Sequence, residues 1–167
     1  MNNEQKNTYV RKQITETLLV LMETRNLGDI SISEITARAK VGRVSFYRNY
    51  KDKEDILRQE SQRLLNRWGD LFSRKNEEEY QMDFLDMFNF FQANREFYLL
   101  LYKSNQTDLI LESYLTQARI AESASNLEAY MKSFWAYGVY GWIIEWIGRG
   151  MKESGEEIKS LFKAMNQ

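Results

Sequence analysis

Apolar residues recur at helical spacing through almost the whole chain, and no proline interrupts them. Proline removes a backbone N–H and clashes with the preceding turn, so a chain without it can keep long helices whole. Val10, Ile14, Leu18 and Leu21 step by four, four and three residues, placing one apolar stripe on a helix from about Thr8 to Arg25. Asn26-Leu27-Gly28-Asp29 ends it, with Gly28 suited to a left-handed cap. Ser31-Ile32-Ser33-Glu34 has the Ser-x-x-Glu spacing of a capping box and opens a short helix through Lys40. Val41-Gly42 breaks it, Arg43 to Tyr50 forms another, and Asp52 caps a fourth that runs to about Phe72.

A charged stretch, Ser73 to Gln81, reads as an exposed loop. Beyond it the pattern predicts helices over Phe84–Gln92, Phe97–Tyr102 and Leu109–Ile120. Ser125-Asn126-Leu127-Glu128 is a second capping box, starting a long helix to about Met151. Ser154-Gly155-Glu156-Glu157 is a third, and opens a last helix. Strand-like alternation is weak everywhere. The expectation is an all-α chain of about nine helices, with an N-terminal three-helix unit over residues 1–52 and a larger helical unit over 53–167.

Composition narrows the chemistry. The 167 residues include no Cys and no His. That excludes disulfides, thiolate nucleophiles, ordinary zinc sites and a Ser-His-Asp triad, and argues against a metal effector. No cofactor is expected. The longest uncharged apolar run, Ser133 to Ile144, is twelve residues, too short to span a bilayer. The polar start MNNEQKNTYVRKQ lacks the apolar core of a signal peptide. The expected location is the cytoplasm, with no membrane partner.

Net charge is only −1, yet it is unevenly spread. Ile35 to Lys51 holds Arg38, Lys40, Arg43, Arg48 and Lys51 without an acidic residue. Charge alone would suit a solvated helix face. The neighbouring pattern points elsewhere. A helix-turn-helix needs two short helices joined by three or four residues, the second small, polar or basic on its outer face. Ile35, Ala39, Val41 and Phe46 supply an inner face, and Ala39 is small enough for close helix crossing. The outer face offers Arg43, Val44, Ser45, Tyr47 and Arg48: guanidinium groups for guanine edges, hydroxyls, and an aliphatic group for a thymine methyl. Adjacent residues do not share a helix face, so a buried Phe46 turns Tyr47 outward. Of Arg43 and Arg48, one reaches bases and the other the backbone, in an order left open. Lys40 fits a phosphate contact and simple solvent exposure equally. Lys53, at a helix start, fits a phosphate clamp. The expected DNA-contacting set is Ser33, Lys40, Arg43, Val44, Ser45, Tyr47, Arg48, Asn49 and Lys53.

Over Ile30 to Leu57, ISISEITARAKVGRVSFYRNYKDKEDIL, the chain resembles the TetR family of bacterial transcriptional regulators. Ile35, Ala39, Val41, Ser45, Tyr47, Lys53 and Leu57 match the family pattern. Asn49 stands where His is frequent, Tyr50 where Phe is, Lys40 where the turn usually has Gly, Gly42 where Ser usually caps the readout helix, and Thr36 where Ala is usual. The resemblance implies a phosphate contact for Tyr47, a fourth-helix N-terminus at Lys53, and a C-terminal helical domain for ligand binding and dimerisation. It also implies repression. A Lys in a left-handed turn costs roughly 1 kcal/mol, and Gly is an acceptable N-cap.

The long C-terminal helix is apolar nearly all round. Trp135, Val139, Trp142 and Trp146 form one stripe, and Tyr140, Ile143, Ile144 and Ile147 the opposite side. Gly138, Gly141 and Gly148 each cost about 1 kcal/mol in a helix interior, which suits close helix approach. Glu145 and Arg149 fit an exposed pair. The expectation is a homodimer through the last two helices, using Gly138, Gly141, Ile158, Leu161, Phe162 and Met165. Most remaining aromatic residues are core, while Tyr98, Tyr102, Tyr114, Phe134 and Tyr137 are candidates to line a small-molecule effector pocket. Together these features predict a ligand-responsive regulator bound to a palindromic double-stranded operator. The alternatives are a helical protein-interaction module without DNA binding and an enzyme using Glu77, Glu78 and Glu79, a weak prospect because the three lack a partner base.

Overall fold

The structure is a computed structural model and describes residues 2–72, 83–118 and 125–165. Among these it is all helix: α1 (Asn3–Met22), α2 (Ile32–Arg38), α3 (Arg43–Asn49), α4 (Lys53–Phe72), α5 (Asp83–Ala93), α6 (Arg95–Lys103), α7 (Asp108–Ala118), α8 (Asn126–Gly148) and α9 (Gly155–Met165). Glu77, Glu78, Glu79 and the charged loop predicted around them lie outside the described residues. The chain divides into two compact units, Met1–Glu60 and Ser61–Gln167. The division falls about two helical turns past the expected 52/53 point, inside α4.

In the first unit α1, α2 and α3 each pack on the other two. Ile14, Leu18, Ile35, Phe46, Ile56 and Leu57 are completely enclosed at its centre. Burying a large aliphatic or aromatic side chain is worth roughly 1.5–3 kcal/mol, so this cluster is the main source of the unit's stability. The first turns of α4 belong here because their side chains bond back into the unit. Gln59 Nε2 donates to the Asn49 carbonyl (3.0 Å) and accepts through Oε1 from Arg11 (2.8 Å), while Asp55 accepts from the Lys51 N–H (3.0 Å). The buried hydroxyls of Thr15 and Tyr50 meet at 3.2 Å.

Two local expectations are corrected. α1 ends at Met22 rather than Arg25, and Gly28 is not a left-handed cap. It sits inside a 3-10 turn, Leu27–Asp29, which lets Leu27 and Ile30 both enter the core. The capping boxes also differ. Ser154 and Glu157 form a complete one, with each backbone N–H bonded by the other's side chain. Ser31 and Ser125 accept from the N–H groups of Glu34 and Glu128. The two carboxylates pair instead with Arg25 and Arg38, and with Lys132.

In the second unit α8 packs on α6 and α7, and α9 on α5. Phe88 and Trp146 (ring centres 5.1 Å) and Phe91 and Tyr98 (4.3 Å) anchor the core. Ser61 and Ser113 are buried together, with Ser113 Oγ donating to Ser61 Oγ at 2.9 Å and Ser61 Oγ to the Leu109 carbonyl at 3.1 Å. Ala136, Val139, Ile143, Trp146 and Ile147 form the inward face of α8. That stripe draws on both of the stripes expected from spacing, and Trp135 is half exposed. On the opposite side Leu127, Tyr130, Phe134, Tyr137, Gly138 and Gly141 form a continuous exposed stripe. α8 stops at Gly150 (φ 83°) and Met151 (φ 52°), whose N–H groups return to the carbonyls of Ile147 and Trp146. Among the described residues, no helix is long and apolar enough to cross a membrane.

Candidate nucleic-acid interface

The α2–α3 turn is closed by backbone bonds. Lys40 N–H returns to Ala37 O (3.3 Å) and Val41 N–H to Thr36 O (3.0 Å), which caps the end of α2. This geometry requires a left-handed residue, and Lys40 adopts φ 53°. Gly42 is the N-cap of α3 and offers no side-chain bond. The hydroxyl of Thr36, buried beneath, donates to Ser33 O (3.1 Å).

α3 then presents two faces. Phe46 is fully enclosed, and Tyr47, its neighbour, is 53% exposed and leans edge-on against it. Val44 is 74% exposed, and Arg43 and Arg48 are exposed beside it. Ser33 and Lys40 are exposed, while Ser45 and Asn49 are half-buried, with Asn49 Nδ2 donating to Ser45 O (2.8 Å). Arg38 is offset after all, by Glu34 at 3.2 Å, one turn back and just outside the basic run. Among the described residues, no carboxylate lies within 4.0 Å of the side chains of Lys40, Arg43, Arg48 or Lys51. An exposed helix face carrying unpaired cations, a phenol and an aliphatic side chain has the chemistry that phosphates and major-groove edges accept.

Lys53 is tied to its own unit. Its ammonium donates to the carbonyls of Leu27 (2.5 Å), Gly28 (3.2 Å) and Ile30 (3.0 Å). An ammonium has three donors, and all three are engaged here, so the side chain braces the 3-10 turn. Lys51, exposed two residues earlier beside the start of α4, has no carboxylate within 4.0 Å among the described residues. It was visible as the last member of the basic run.

The five residues expected around an effector do not converge. Tyr98 is fully buried against Phe91 and Phe97. Tyr102 is partly exposed, with its hydroxyl placed where a Cβ on Gly148 would lie only 2.8 Å away. Phe134 and Tyr137 sit on the outer stripe of α8. Of the five, Tyr114 lines a cavity of about 550 Å³, with Ser125, Leu127, Glu128, Met131, Lys132, Trp135 and Ala136 among the described residues. Burial raises its phenol above the ordinary value, so it is neutral at physiological pH. A second cavity of about 300 Å³ between α8 and α9 is walled by Gly141, Trp142, Glu145, Trp146, Arg149, Glu153, Ile158 and Leu161. Of the residues expected in a dimer contact, Gly138, Gly141, Leu161 and Met165 are exposed. Ile158 is buried, and Phe162 packs on Trp135 and Trp142 within its own unit.

A three-helix head with a helix-turn-helix and a basic outer face, followed by a helical unit with its own core, defines a helix-turn-helix transcription regulator. Residues 14–59 match the model of the tetR family of bacterial regulatory proteins, and residues 78–167 that of a TetR-type transcriptional regulator C-terminal region. The chain belongs to the TetR family. Its fold is similar to that of Lin0861 from Listeria innocua, at 16% identity and a TM-score of 0.78 over 99% of this chain and 93% of that one. It is also similar to DhaS, a dihydroxyacetone kinase operon activator, at 21% identity and a TM-score of 0.56 over 93% of each chain. No curated protein sequence matches the chain.

Proposed function

We propose that the protein is a ligand-responsive repressor that binds a palindromic operator as a homodimer and leaves it when a small molecule occupies the C-terminal unit. The observation that carries the DNA reading is α3, with Phe46 enclosed while Arg43, Val44, Tyr47 and Arg48 face solvent. In this reading Arg43 and Arg48 supply base and phosphate contacts, Tyr47 a phosphate contact, and Lys40, Lys51 and Ser33 the flanks. The dimer reading is supported by the outer stripe of α8 together with Leu161 and Met165 of α9. A Cβ on Gly138 or Gly141 would meet nothing within 4 Å, so packing among the described residues gives no reason for either glycine. A second helix drawn close supplies one. Two heads held by a two-fold axis match two half-sites about one DNA turn apart.

Among the described residues, the cavity beside Tyr114 is walled mainly by apolar side chains, with the hydroxyls of Tyr114 and Ser125 and a Glu128–Lys132 pair that neutralises itself at 2.7 Å. It suits an uncharged, largely apolar effector. Release then follows from tighter effector binding to the state that does not bind DNA. The sign of regulation rests on the family resemblance, and DhaS is named an activator, so a reporter driven by the bound promoter must accompany the binding assay.

The test is electrophoretic shift on fragments flanking the coding region. Selective binding should weaken steeply with salt as bound counterions are released. The combined Arg43→Ala, Tyr47→Ala and Arg48→Ala variant should lose at least about 100-fold in affinity. Selective binding that survives all three substitutions overturns α3 as the readout helix. No selective binding by the wild-type dimer favours a protein-interaction role.

A further inference from the structure

The smaller cavity between α8 and α9 has an unbalanced wall. Glu145 and Arg149 neutralise each other, with Arg149 Nε donating to Glu145 Oε1 at 2.8 Å. Glu153 does not share in this. Its Oε2 is closed off from solvent and no donor among the described residues reaches it. Among the described lining residues, Glu153 is thus the one carboxylate with no cation within 4.0 Å. A buried acceptor without a donor is costly, and the last torsion of a Glu side chain is soft, so the oxygen can turn toward a donor placed in the cavity.

The rest of the wall fits the same occupant. Trp142 and Trp146 contribute indole rings, the aromatic groups that attract cations best. The Trp146 N–H already donates to the Glu153 carbonyl (3.0 Å). An anion would meet net negative charge, and a neutral apolar molecule would leave Glu153 Oε2 without a donor. We propose that this cavity binds a small organic monocation, an ammonium or guanidinium group on a short apolar body, with Glu153 as its counter-ion. At about 300 Å³ the space is at the lower end for ligand sites, which limits the ligand to a small one. The proposal does not depend on the DNA reading, and its test involves no DNA; it does share Gly141 and Leu161 with the proposed dimer contact, and requires the second copy to leave Glu153 uncovered.

Full-length protein is titrated by calorimetry with benzylammonium and with its neutral counterpart benzyl alcohol. Benzylammonium should saturate one site per chain and bind at least about tenfold more tightly than the alcohol. Glu153→Gln should weaken benzylammonium by about tenfold or more and leave the alcohol unchanged. Equal affinity for the two probes, or an unaltered Gln variant, overturns the proposal. Should the variant fail to fold, the four tryptophan indole N–H signals of the wild-type protein report instead. Benzylammonium should shift those of Trp142 and Trp146 and leave those of Trp68 and Trp135 in place. Shifts confined to Trp135 would put the ligand elsewhere and overturn it. A side chain of a second copy seated on Glu153 would show as no benzylammonium binding and a weaker dimer in Glu153→Gln, which also overturns it.

Discussion

Lys40 and Lys53 show how far a single position depends on its surroundings. Lys40 sits at φ 53°, a backbone region that disfavours side chains with a Cβ. Lys40→Gly should raise the stability of the first unit by about 0.5–1 kcal/mol in chemical denaturation, since relief of strain exceeds the added chain entropy. Its DNA affinity should fall by less than the Arg variants' if Lys40 touches only phosphate. Lys53 makes the opposite case. Lys53→Met removes three charge-assisted bonds to the 3-10 turn and should cost about 2 kcal/mol of stability. If these bonds are its whole role, the salt dependence of DNA binding should not change; a slope reduced by about one would make Lys53 a phosphate contact. The orientation of Tyr47 was legible because adjacency to a core Phe46 fixes it geometrically. The role of Lys53 was not, because its partners are carbonyls about 25 residues earlier in the chain, brought near only by folding.

Helix existence follows from periodicity, whereas helix ends depend on competition for the capping groups. Each of the three Ser-x-x-Glu sequences caps a helix, yet only Ser154–Glu157 closes in both directions. Glu34 is drawn to Arg25 and Arg38, and Glu128 to Lys132, partners that outbid a backbone N–H. Gly28 failed as a cap for a similar reason, since burial of Leu27 and Ile30 selected a 3-10 turn. The closed box makes α9 sensitive to acid. Bonds from the Ser154 backbone N–H and then its hydroxyl hold the Glu157 carboxyl below the ordinary value for a glutamate. A lowered folded-state pKa gives a contribution that is present above the unfolded value and lost as pH falls through the folded one. Wild type should therefore be more stable than Glu157→Gln near neutral pH, and the gap should close as the solution is acidified below the carboxylate range. A gap independent of pH would mean the charge plays no part.

Over the whole molecule, the sequence shows α8 to be apolar all round but not which side its own unit claims. That choice is made by α6 and α7, and it leaves Tyr130 and Phe134 74% exposed. The Phe134→Glu, Leu161→Glu double variant should raise the dimer dissociation constant by about two orders of magnitude in sedimentation, with the melting of each unit little changed. Persistent dimers would move the contact elsewhere. The two units part within α4, which carries one unbroken helical pattern through the division, while the bonds of Asp55 and Gln59 tie its start to the first unit. The outer stripe also bears on dosage. If one protomer alone grips a half-site weakly, operator occupancy varies with the square of protomer concentration wherever monomers predominate. A modest change in synthesis or breakdown of the chain would then be felt at the promoter as a much larger one, before any effector arrives.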